Sequence, residues 1–294
     1  MKIEHVFTET KRTRRAVALL FGLAMICVLL LGLQSAKPAH AAGTTFTVNS
    51  TGDEDDLDFP NGTFDGSSDG KCDVDAGTIG KQCTLRAAIQ QANKSRGADI
   101  IAFNIPGGGV QTISLLSRLP EITKPVTIDG YTQPGSKKND QAVGTNAVLN
   151  IELHASGALE DPYVEPASGL KLRGPGASNS VIRGLVINNV IGYKLLGYGI
   201  YISSGTGYKI EGNFIGTNPT GTFAEGNNTG LRFSNTQGST LGGTLPEARN
   251  LISGNNRNGV QLEGGSAGNK IEGNLIGTAK DGISPDYDKY GISP

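Results

Sequence analysis

From Gly169 onward the apolar residues come in short runs that alternate with polar ones at a period of two, separated by Gly, Asn, Ser and Thr. That pattern predicts half-buried strands joined by bends, because those four residues supply left-handed and turn backbone conformations. Strands opening on glycine start at Gly169, Gly199, Gly230, Gly259 and Gly291, at spacings of 30, 31, 29 and 32 residues. A second register runs beside the first, with Ile182, Ile210, Leu241 and Ile271 each two residues before Gly184, Gly212, Gly243 and Gly273. The second register is embedded in Lys209-Ile-Glu-Gly-Asn-Phe-Ile-Gly-Thr217, which recurs as Lys270-Ile-Glu-Gly-Asn-Leu-Ile-Gly-Thr278, 61 residues and two coils later. No stretch in this region has the 3.6-residue pattern of a crossover helix, which excludes leucine-rich repeats and doubly wound sheets. A propeller blade is longer, ~40 to 50 residues, and carries aromatic signatures absent here. The remaining solution is an all-β solenoid of parallel strands, ~30 residues per coil, with Ile, Leu and Val in continuous buried ladders.

Upstream, Thr84 to Arg96 reads as a helix with Leu85, Ala88, Ile89 and Ala92 on its apolar stripe. Thr84 is its expected N-cap, Lys94 and Arg96 complement the C-terminal dipole, and Gly97 is placed to end it. Such a helix would cover the open apolar end of the first coil. Strands at 100–105, 111–116, 125–129 and 148–153 then form the first, less regular coils.

Residues 1–41 stand apart. Lys11, Arg12, Arg14 and Arg15 precede an uninterrupted apolar run from Ala16 to Leu33, followed by Ala39-His40-Ala41, which is the pattern of an export signal cleaved after Ala41. The alternative is an uncleaved anchor, since 18 apolar residues as a helix span about 27 Å. Both readings place the rest of the chain outside the cytoplasm, with the membrane involved only through this segment. Beyond the leader, 20 of the 26 basic and 25 of the 27 acidic residues remain. That mildly acidic balance gives no basic field for nucleic acid. Glycine, at 43 of 294 residues, runs to about twice its ordinary usage of ~7%, and Trp is absent, which fits turn-rich β structure.

Cys27 lies in the leader, leaving Cys72 and Cys83, which an oxidising exterior would pair. A zinc site built on them lacks further ligands. Between residues 53 and 75 lie nine acidic residues interspersed with glycine, and an oxygen-rich loop of this kind can take Ca²⁺. Asp65, Asp69, Asp73 and Asp75 are the candidate ligands because a Cys72–Cys83 bridge would hold their segment against the helix. The alternative is a solvated acidic loop.

The first-strand ladder points Leu170, Ile200, Leu231 and Val260 inward and Lys171, Tyr201, Arg232 and Gln261 outward, with Arg173, Ser203, Ser234 and Glu263 as the next outward row. An aromatic plate, cationic donors and hydroxyls on one face suit an extended polysaccharide; the alternative is an ordinary solvated sheet. Lys171, Arg173, Tyr201, Ser203, Arg232, Ser234 and Gln261 are the candidate ligand-binding residues. No catalytic residue is identified, because the repeats carry neither paired carboxylates at glycosidase separation nor a carboxylate cluster with a basic proton abstractor. Glu211 and Glu272 are equivalent repeat positions that support turns, His154 is one outward strand position, and Arg173 and Arg183 lack an evident ionisable partner.

Cys83-Thr-Leu-Arg-Ala-Ala-Ile resembles the Cys-Ser-Leu-Arg-Glu-Ala (CSLREA) signature of bacterial exported proteins, and the repeats that follow resemble right-handed parallel β-helices of the pectate-lyase-like superfamily. The resemblance covers about residues 44–294. It departs at Thr84 for Ser and at Ala87 for Glu, which removes the return half of a capping box. It implies a right-handed β-helix, 99–294, behind a cap segment, 42–98, in a secreted or surface protein. Binding or adhesion to extracellular polysaccharide or a surface protein is the expected activity. The alternatives are a polysaccharide lyase or glycoside hydrolase with active residues outside the visible repeats, and a structural stalk. Gly291-Ile-Ser-Pro294 begins like another coil, so the expectation is a longer protein with further domains.

Overall fold

Gly169, Gly199 and Gly230 open their coils because adjacent coils meet there too closely for a side chain. A Cβ on Gly199 would lie 2.7 Å from the Gly230 carbonyl oxygen, and one on Gly230 would lie 2.5 Å from that of Gly259. The computed structural model describes residues 43–63, 69–155, 166–285 and 290–293. The segment read as a leader, with its expected cleavage point after Ala41, and Asp65 lie outside them. Among the described residues no helix is long and apolar enough to cross a membrane.

Three parallel sheets wind into a β-solenoid of about 6 turns with ~31 residues per coil. Sheet A contains β1 (Thr45–Val48), β2 (Asp99–Phe103), β4 (Val126–Asp129), β7 (Val181–Arg183), β10 (Lys209–Glu211), β13 (Thr240–Gly242) and β16 (Lys270–Glu272), in that order. Sheet B contains β3 (Gln111–Ser114), β5 (Ile151–His154), β8 (Val186–Asn188), β11 (Phe214–Ile215), β14 (Leu251–Ile252) and β17 (Leu275–Ile276). Sheet C contains β6 (Ala167–Arg173), β9 (Gly197–Thr206), β12 (Thr229–Gln237), β15 (Asn258–Glu263) and β18 (Tyr290–Ser293). In sheet C, Leu170 pairs with Ile200, Ile200 with Leu231, Leu231 with Val260 and Val260 with Ile292, the register that the glycine spacing predicts. Leu170, Ile200, Leu231 and Val260 are buried, each worth about 1.5–3 kcal/mol over exposure.

The turn from sheet A to sheet B carries a ladder of stacked asparagines. Asn213 N–H donates to Asn250 Oδ1 at 2.9 Å, and Asn250 Nδ2 donates to Asn274 Oδ1 at 2.8 Å and to the Ile210 carbonyl at 2.8 Å. A second, smaller apolar cluster lies on the outside of sheet B, where Val186, Phe214 and Leu251 meet Leu149 and Tyr131. The segment between β4 and β5 that supplies this cover is tied down by Arg249, whose guanidinium donates to the carbonyls of Gln141, Ala142 and Gly144.

The single α-helix among the described residues, α1 (Leu85–Lys94), packs on β1 and β2. Thr84 is its N-cap, as expected, and accepts from Ala87 N–H at 3.0 Å. The Thr84 hydroxyl itself donates to the Glu54 carbonyl at 2.7 Å, which ties the helix start to the acidic segment. The helix stops two residues earlier than expected: the C-cap is Ser95, in an extended conformation, and Gly97 plays no part in termination. Ser95 Oγ is held by Asp99 at 2.9 Å, and it accepts from Gly97 N–H at 3.2 Å. Cys72 and Cys83 form a disulfide with Cα atoms 5.1 Å apart.

Candidate functional site

Strand alternation and the glycine register stack the outward residues of sheet C into rows. Lys171 pairs with Tyr201, Tyr201 with Arg232 and Arg232 with Gln261, while Arg173, Ser203, Ser234 and Glu263 form the neighbouring row. The face therefore brings together all seven predicted ligand-binding residues. At its centre the Arg232 guanidinium packs against a tilted pair of aromatic rings whose centroids are 5.4 Å apart, 4.9 Å from the Tyr198 centroid and 4.8 Å from that of Tyr201. Its Nη1 donates to the Tyr198 hydroxyl at 2.7 Å, and its Nη2 is ion-paired with Glu263. Its buried Nε has no hydrogen-bond partner among the described residues, so ring faces take the place of an acceptor on that side. Lys171 reaches over the other side of Tyr201, 5.5 Å from the ring centroid.

Two carboxylates balance these cations. Glu121 binds Lys171 Nζ at 2.7 Å and Arg173 Nη1 at 2.9 Å. Burial raises the Glu121 carboxyl, and the hydrogen bonds and charges of Lys171 and Arg173 outweigh it, leaving the group below its usual range. Burial likewise lowers Arg232, while its bond to Glu263 and the two tyrosines more than offset that effect. Burial also pushes the Tyr198 phenol up, so it stays protonated. The chemistry on offer is a row of fixed donors, hydroxyls and ring surfaces, with the formal charges mostly paired.

Sequence reasoning missed Glu121 and Tyr198. Glu121 sits outside every strand, beside the isolated bridge from Ile122 to Leu172. Tyr198 precedes the glycine used to set the register, and its phenol reaches the face through Arg232. Arg173 and Arg183 are not without ionisable partners, as the sequence suggested: Arg173 has Glu121, and Arg183 binds Asp129 at 2.7 Å and Glu211 at 3.5 Å. These pairings lie between coils, which a one-dimensional pattern does not register.

The predicted calcium ligands do not converge among the described residues. Asp69 binds Lys71, Asp73 accepts from Gln82 N–H at 3.2 Å, and Asp75 caps Gly77 N–H at 2.7 Å and holds Thr78. Each closes its own local turn. The acidic residue with the largest structural part here is Asp53, buried against Arg86 at 2.7 Å. Arg86 also donates to the carbonyls of Ser117 and Arg118, so one guanidinium joins α1, the acidic segment and the chain after β3. The side chains with metal-ligand chemistry that do converge are Glu152, His154 and Glu225. A cleft of about 360 Å³ beside the disulfide is lined by β1 and the 70–83 segment and includes none of the sheet C residues. No protein-family model and no curated protein matches this chain.

Proposed function

We propose that this chain is an exported, right-handed parallel β-helix that holds an extended, hydroxyl-rich polysaccharide along the outer face of sheet C. The observation that carries this reading is the Arg232 guanidinium packed against the Tyr198–Tyr201 ring pair, in register with Lys171 and Gln261. Rows of side chains repeating at the strand spacing of about 4.8 Å suit a ligand that is itself a linear polymer. Side chains already fixed by ion pairs and ring contacts lose little freedom on binding, which favours affinity. Because Glu121 and Glu263 pair with the cations, the face recognises by hydrogen bonding and ring stacking more than by net charge.

The leader pattern and the Cys72–Cys83 disulfide support export. The contacts of α1 with β1 and β2 support its role as the N-terminal cap, and right-handedness follows the usual chirality of parallel connections. The Arg86 network gives a physical reason for the Cys83-Thr-Leu-Arg motif and supports kinship with CSLREA proteins.

Affinity electrophoresis against a panel of neutral and uronic polysaccharides tests this reading. Retardation of the wild-type chain, lost in Tyr201→Ala and Arg232→Ala, is the expected result. Absence of retardation across the panel, or equal retardation of the variants, rejects it. Release of new reducing or unsaturated sugar ends would place the protein among carbohydrate-active enzymes instead.

A further inference from the structure

Two carboxylates and an imidazole meet on the outside of sheet B. Glu152 and His154 are two residues apart on β5, so alternation sends both outward while Leu153 is buried between them. Glu225 comes from the loop joining β11 to β12, and its backbone is pinned on both sides. Its N–H donates to the Gly216 carbonyl at 2.9 Å, and its carbonyl accepts from Asn189 N–H at 3.1 Å. One atom from each of the three side chains lies within 4.8 Å of the other two. The buried Asn188 orders the group: its Nδ2 donates to Glu152 Oε1 at 2.8 Å and to Glu225 Oε2 at 3.0 Å, and its Oδ1 lies 3.1 Å from His154 Nδ1. Glu152 Oε2 also accepts from the Thr112 hydroxyl at 2.6 Å.

Glu121, Glu263, Asp129 and Asp53 each face an Arg or Lys, whereas neither Glu152 nor Glu225 has an ion-pair partner among the described residues. The buried Asp56 and Asp99 also form no ion pair there, but only Glu152 and Glu225 converge with an imidazole. Glu152 is only 7% exposed. Two carboxylates this close, one of them buried, repel unless a positive charge lies between them. A donor set with imidazole nitrogen beside carboxylate oxygen favours divalent transition metals over Ca²⁺ or Mg²⁺. Metal bonds of about 2.0–2.2 Å require the three atoms to close up by roughly an ångström. His154 and Glu225 are only partly buried and can make that adjustment.

We propose that Glu152, His154 and Glu225 bind a divalent transition-metal cation of the Zn²⁺ class, with Asn188 as the positioning residue. Three protein ligands leave one tetrahedral position for water. The bound ion would join β5 to the loop after β11, clamping coils across the intervening β8. This site is independent of the polysaccharide face.

Zn²⁺ binding to the full chain, measured by equilibrium dialysis, and the visible absorption of its Co²⁺ form test the proposal. Affinity is expected to fall at least tenfold in His154→Asn and in Glu225→Gln, with loss of the Co²⁺ bands, since zinc held elsewhere on the chain is common to wild type and variants. Circular dichroism in chelator checks that each variant folds. Zn²⁺-dependent slowing of hydrogen exchange in β5 and residues 216–225 of the wild type needs no variant. An unchanged Zn²⁺ stoichiometry and Co²⁺ spectrum in both folded variants, or no slowing at those two segments, overturns the assignment.

Discussion

Asn250→Ala should be among the most damaging single substitutions in the repeats. The side chain is fully buried and makes four hydrogen bonds: to the Ile210 carbonyl at 2.8 Å, to Asn274 Oδ1 at 2.8 Å, from Asn213 N–H at 2.9 Å and from Asn213 Nδ2 at 3.1 Å. Alanine strips this partner from two buried backbone groups, the Asn213 N–H and the Ile210 carbonyl. Each stranded buried group costs about 1–3 kcal/mol, so the two together cost about 2–6 kcal/mol. Asn274, at the less buried end of the ladder, keeps solvent access, and Asn274→Ala should cost only about 1 kcal/mol. Asn250→Asp keeps the shape but turns an oxygen toward the Ile210 carbonyl and Asn274 Oδ1, and should cost as much as alanine. Urea unfolding followed by circular dichroism measures all three, with slopes compared so that partial unfolding of the coil array is recognised. A loss under about 0.5 kcal/mol for Asn250→Ala, or a tolerated Asn250→Asp, would refute the reasoning.

Three further outcomes follow from other parts of the fold. Arg86→Met leaves Asp53 buried without its partner and should destabilise by about 3–5 kcal/mol in the same urea experiment, whereas Lys71→Met, which removes an exposed pair, should change stability little. Replacing Cys72 and Cys83 by serine should lower stability by about 2–3 kcal/mol, and adding reductant to the wild type should reproduce the loss. The Glu121 carboxyl is depressed in the folded state, so its contribution is present above the unfolded carboxylate value of about 4.3 and is lost as pH falls through the lower folded value. Glu121→Gln should therefore flatten the acid limb of the stability curve below about pH 4.5, as read by thermal unfolding across that range.

The register of sheet C was legible because a glycine marks the close approach of each pair of coils and recurs once per coil. Beside it the buried residues alternate without interruption from Leu170 to Val260. The asparagine ladder was not legible, for two reasons. Asn213 and Asn274 hold the same place in the 61-residue repeat, but Asn250, the link between them, lies 37 and then 24 residues away and so falls off the ~30-residue period. They are also polar residues in the interior, invisible to a search for apolar repeats. The outward rows of the candidate face could be read from alternation, but their partners could not: Glu121 reaches Lys171 and Arg173 from irregular chain about 50 residues away in sequence. For the same reason His154 read as a lone outward residue, since Glu225 approaches it from a loop two coils on. The acidic segment has the composition of a cation loop, but sequence does not show that Asp73 and Asp75 each accept hydrogen bonds from nearby backbone N–H groups. The helix end was misplaced by giving Gly97 the weight that the Ser95–Asp99 bond carries.

The central claim is that a polysaccharide lies along the outer face of sheet C. Hydrogen exchange of the full chain, with and without a polysaccharide that retards it in affinity electrophoresis, tests that claim most directly. The account predicts slowed exchange in β9, β12 and β15, with sheets A and B unaffected. Slowing confined to sheet A, sheet B or the acidic segment, with sheet C unchanged, would contradict it.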